Sequence, residues 1–92
     1  MNMPDNLEST GRSPEFDPGN VPAALLSRHT LAAGRWARLT VFSGTVTFVD
    51  LGANQVTAIA QGETGTVPPD LPHRVELSDD ARFQLEFFRA AE

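Results

Sequence analysis

The chain has no cysteine and no lysine, one tryptophan and no tyrosine in 92 residues. Without cysteine there is no disulfide framework, no thiolate nucleophile and no thiolate-ligated zinc or iron–sulfur site. All seven basic residues are arginines (12, 28, 35, 38, 74, 82 and 89), scattered among twelve acidic residues for a net charge of −5. A protein that rides on phosphate backbones needs a clustered basic surface, so nucleic acid is excluded as a partner. No apolar run approaches the roughly 20 residues of a membrane span, and MNMPDNLEST lacks the basic start and apolar core of a signal peptide. These absences lead to the expectation of a single small cytoplasmic domain with no membrane partner.

Residues 1–20 carry three of the seven prolines and few large apolar side chains. Such a segment has too little apolar surface to offset its ordering entropy, and it is expected to be a flexible tail with Phe16 and Leu7 as docking points. The domain proper is then 21–92. A core of that size buries a modest fraction of its surface, which favours homodimerisation. Within 21–34, Asn20, Pro22, the AALL run and Gly34 lean towards a helix by local rules.

From Arg35 onward the pattern is β. RWARLTVF and TVTFVDL are separated by Ser43-Gly44, a hairpin signal; further turns are expected at 52–55, at 61–65 and at Asp79-Asp80-Ala81, before RFQLEFFR. Short strands at this spacing predict an all-β antiparallel sandwich or barrel. Alternation places His73 with Val75 and Leu77 on the apolar face, and Phe83, Leu85 and Phe87 likewise. It sets Ala37, Leu39 and Val41 opposite Trp36, Arg38, Thr40 and Phe42.

The stretch most informative about chemistry is GETGTVPPDLPH, residues 62–73, where a proline-stiffened bend delivers an inward histidine at a strand start. Neutral imidazole is the commonest metal ligand. Gly62, Pro68, Asp70 and His73 are spaced as in the second cupin motif, which has glycine where this chain has Asp70. In order along the chain, LLSRHT (25–30), GRWARLTVFSG (34–44), VPPDLPHRVE (67–76) and DDARFQLEFF (79–88) resemble the small single-domain cupins related to tellurite-resistance protein B, the TehB-like and YeaR-like proteins.

That resemblance implies a small cupin-type, jelly-roll-like β-barrel, dimeric, with 24–30 as a strand. It makes His29 and His73 an inward pair holding a divalent metal (zinc, iron, manganese or nickel) and links the protein to tellurite or related chemical stress. The first cupin motif normally adds His-x-His and a glutamate before its closing glycine, here Gly44. This chain has no carboxylate between Asp17 and Asp50 and only one histidine there. Glu63 and Glu86 are the candidates to complete the ligand set, although alternation turns Glu86 the other way. The competing expectation is a metal-free binding or sensing module that holds a small anionic ligand inside the barrel through Arg38 and the two imidazoles, with Trp36 lining the pocket. A third is a structural dimer whose histidines are satisfied by hydrogen bonds. No catalytic residue is assigned, because no nucleophile elbow, phosphate loop or inward acid–base pair is present.

Overall fold

A computed structural model describes residues 3–90; the remaining two residues at each end of the expected tail-plus-domain division lie outside the described residues. Seven strands occur in the order β1 (Leu7–Arg12), β2 (Arg35–Ser43), β3 (Thr45–Asp50), β4 (Gln55–Ala60), β5 (Thr64–Val67), β6 (His73–Leu77) and β7 (Arg82–Ala90), with one 3₁₀ turn at Ala23–Leu26. They form a four-stranded sheet, β1-β7-β2-β5, and a three-stranded sheet, β4-β3-β6, and all pairings are antiparallel. The all-β expectation holds, but these are two facing sheets and not a closed barrel.

The core lies between the sheets and is built by alternation. Leu39 and Val41 from β2, Phe83 and Leu85 from β7, Val46 from β3, Ile59 from β4 and Val75 from β6 form one buried cluster with Ala81. β-branched and aromatic side chains suit such a half-buried pleated surface. Burial of each large side chain contributes about 1.5–3 kcal/mol.

Three expectations are corrected. Ser43-Gly44 is not a hairpin: β2 and β3 belong to different sheets, and the chain turns a corner between them. That corner needs glycine, since Gly44 has φ +65° and a Cβ there would lie 2.6 Å from Asp80 Oδ1 and 2.7 Å from the Ala81 nitrogen. The Ser78 hydroxyl accepts from the Thr45 N–H and donates to Asp80 Oδ1, tying the same corner to the β6–β7 turn.

Within the expected tail, the described residues 3–20 include strand β1. β1 pairs with β7 from Leu7↔Ala90 to Arg12↔Glu86, and Phe16 exchanges backbone hydrogen bonds with Phe83 while its ring lies 5.6 Å from the Phe83 ring. Main-chain bonding to a free sheet edge needs little apolar surface, so composition alone does not register it.

Residues 24–30 are neither a full helix nor a strand. The single 3₁₀ turn of Ala23–Leu26 ends at extended Ser27, and His29 then makes an isolated antiparallel bridge to His73. Pro22 and a stretch of two short apolar pairs are too little to propagate a helix, whose nucleus is costly and whose stability comes from a packed face.

Candidate functional site: a histidine pair between the sheets

His73 opens β6, and its side chain turns inward by the period-two rule of the strand; it is 3% exposed. His29 reaches it from the 21–34 segment. The two residues exchange backbone hydrogen bonds, His29 N–H to the His73 carbonyl at 3.0 Å and His73 N–H to the His29 carbonyl at 2.9 Å. The side chains are thereby set next to each other, with ring centroids 4.1 Å apart at 64°. Phe48 of β3 stacks on His73, with ring centroids 5.1 Å apart.

Each ring is oriented by the same local device. His29 Nδ1 lies 2.9 Å from the Ser27 carbonyl and His73 Nδ1 2.8 Å from the Leu71 carbonyl. A carbonyl oxygen only accepts, so each Nδ1 donates to it, and in the neutral ring Nε2 is then the lone-pair acceptor. Burial is the main cause that pushes the His73 pKa below its ordinary value, and the neighbouring His29 lowers it further. The Leu71 hydrogen bond and the Asp50 carboxylate oppose this. His73 is therefore neutral at pH 7.

The pair borders a cavity of about 60 Å³ whose walls include Leu25, Leu31, Leu39, Phe48, Phe83 and Phe87. Among the described residues lining it, His29 and His73 alone have polar side chains. A wider cleft of about 460 Å³ opens between β4 and β5 and shares Leu39, Phe48 and Val67 with the inner cavity. Its polar lining comes from Asp50, Gln55, Thr57, Thr64 and Thr66. The 21–34 segment is secured over the inner cavity by the Asp70 N–H, which donates to the Leu31 carbonyl. Asp70 has φ +62°, the left-handed region that explains why glycine is the pattern residue at this point of the motif.

The remaining candidates lie elsewhere. Arg38 and Trp36 sit on the outer face of the four-stranded sheet, as their alternation with buried Ala37 and Leu39 dictates. The Arg38 guanidinium lies 5.0 Å from the Phe88 ring centroid and 3.6 Å from Glu86, so it cannot hold a ligand between the sheets. Glu86 is on that outer face too, accepting from the Ser9 hydroxyl and pairing with Arg12. Glu63 Oε1 accepts from the Ala60 N–H and caps its own turn. Phe48 and Asp50 were not singled out from the sequence, although alternation along TVTFVD would have put both on the inner face with Val46.

Among the described residues no group of three histidine, cysteine, aspartate or glutamate side chains could hold a metal ion. Zinc and iron sites take three or more protein ligands, so the two imidazoles do not by themselves make a complete ligand set for a divalent metal.

A family model described as TehB-like domain matches residues 11–85. A protein of Escherichia coli strain K12 of known crystal structure is 29% identical, with TM-score 0.90 over 100% of this chain and 99% of that one. TehB from Haemophilus influenzae is 26% identical, with TM-score 0.84 over 96% of this chain; the match spans 33% of TehB. A conserved Streptococcus pyogenes protein at 20% identity and TM-score 0.55 shares the fold. No curated protein matches the chain.

Proposed function

The chain belongs to the TehB-like family, and on that premise we propose that it is a small-molecule-binding module whose site is the His29–His73 pair and the cavity beneath it. The observation that supports this most directly is the doubled constraint on the pair. Two backbone bonds fix the residues and two carbonyls fix the ring tautomers, leaving two Nε2 acceptors in an apolar wall. A site pre-ordered on strand backbone loses little entropy when a ligand arrives. The cleft between β4 and β5, within the usual size range of ligand pockets, serves as the approach.

The family name links the module to tellurite or related chemical stress, with the chain acting as a sensing or accessory unit; the match covers a third of TehB, so TehB's own activity is not transferred. We read the frame as cupin-type, supported by the inward His73 and by Asp70 in the left-handed conformation at the motif's glycine position. A homodimer completes the reading, with half-buried Trp36 and exposed Phe42 on the outer sheet face as the surface covered; sedimentation showing only monomer would remove that part.

The deciding experiment is elemental analysis and ligand-dependent thermal shift on wild type and His73→Ala. The expected result is substoichiometric zinc, iron, manganese and nickel, even after reconstitution, and a ligand-induced rise in Tm in wild type alone. Stoichiometric metal in wild type, lost in His73→Ala, would overturn the metal-free reading.

A further inference from the structure

We infer that the cavity at the His29–His73 pair selects a neutral, largely apolar molecule that carries a hydrogen-bond donor, such as an alcohol, and rejects oxyanions. The inference rests on the binding role proposed above and specifies what that site takes.

The first ground is the polarity of the pair itself. With both Nδ1–H groups donated to the Ser27 and Leu71 carbonyls, each neutral ring has only an Nε2 lone pair to offer. An acceptor pair recognises O–H or N–H and repels a carboxylate or other oxyanion, which is acceptor-only. At His73 an oxyanion would be accommodated only by adding a proton to a ring that is buried and lies 4.1 Å from another imidazole.

The second ground is the placement of charge. No arginine lines the inner cavity or the cleft among the described residues; the one charged group in either lining is the carboxylate Asp50. Arg12, Arg38, Arg74, Arg82 and Arg89 are paired with Glu86, Glu76, Glu15 or Glu8 outside the sheets. An anion would thus leave water for an apolar cavity, with no cation waiting and a like charge at the approach.

The third ground is size. The inner cavity, about 60 Å³, is well below the roughly 150 Å³ that admits benzene. It takes a short aliphatic end of a few heavy atoms, with any longer portion lying among Thr57, Thr64, Thr66 and Gln55 in the cleft.

The test uses the full chain and 1-propanol and propionate, which match in shape and differ in charge and donor, with tellurite as a third probe. The ring ¹⁵N signals of His29 and His73 are followed at pH 7.5. The expected result is Nδ1–H tautomers for both rings and a saturable Nε2 shift with 1-propanol, at an apparent Kd at least about tenfold below that of propionate or tellurite. Tighter binding of propionate or tellurite, or Nε2–H tautomers in the free protein, overturns the ligand class and leaves the binding role standing. No shift with any of the three overturns the binding role itself.

Discussion

Replacing Gly44 by alanine should cost far more than the same change at Gly62. Both glycines have positive φ, +65° and +84°. Both substitutions therefore carry the left-handed penalty of about 1–2 kcal/mol for a residue with a Cβ. At Gly62 the new methyl meets nothing within 4 Å. At Gly44 it would lie 2.6 Å from Ser78 Oγ and Asp80 Oδ1 and 2.7 Å from the backbone nitrogen of Ala81. The two side-chain atoms can rotate away at the loss of the Thr45 N–H bond to Ser78, but the Ala81 backbone adjoins the fully buried Ala81 and Phe83 side chains and cannot yield cheaply. Overpacking of that kind adds about 1–3 kcal/mol, for a total near 3 kcal/mol. Domain stability is about 5–15 kcal/mol, so this is a large fraction of it. With a urea m-value of about 2 kcal/mol/M, the midpoint of Gly44→Ala should fall by about 1.5 M and that of Gly62→Ala by about 0.5–1 M. Equal shifts in the two midpoints would refute the argument that the corner between the sheets is sterically closed.

Other outcomes follow from the same structure. The unfolded His73 has an ordinary pKa near 6.5 and the folded one a lower value, so the unfolded state binds more protons between them. Stability should accordingly be full above about pH 6.5 and fall as the pH drops towards the folded value, and His73→Phe should flatten that part of a Tm–pH profile; parallel profiles would contradict it. Phe16→Ala should destabilise by about 2 kcal/mol, less than the roughly 3–5 kcal/mol of a fully buried phenylalanine, because Phe16 packs on the core from a half-buried position. No loss in urea denaturation would mean that the 13–20 segment does not contribute to the fold. Arg38→Ala should leave 1-propanol binding unchanged and cost under about 1 kcal/mol, since its ion pair is on the solvated outer face. A loss of binding would place Arg38 in the site after all.

What could be read from the sequence was whatever depends on period and on turn chemistry. The alternation in RWARLTVF, HRVELS and RFQLEFFR assigns Leu39, Val41, Val75, Phe83 and Leu85 to the interior, where they are found. The histidine pair was legible because the resemblance pairs His29 of LLSRHT with His73 of VPPDLPHRVE, and the bridge His29↔His73 brings them together. What was not legible depends on backbone partners far away in sequence. β1 is polar and is held by the main chain of β7, some 80 positions later, which no local pattern encodes. Ser43-Gly44 has the chemistry of a tight turn, but whether the strand that follows folds back or crosses to another sheet depends on pairing with β4 and β6, which lie later in the chain. Arg38 differs: alternation alone sets it opposite buried Leu39, and the outer face is where it lies.

The bridge between residues 29 and 73 is made of main-chain atoms on both sides. Its geometry therefore does not depend on the imidazoles it presents. The donors and acceptors that align the two positions remain in the chain whichever side chains the positions carry. Positions 29 and 73 form a socket in which a lineage, or a designer, can change what is recognised in two substitutions without rebuilding the sheets around it.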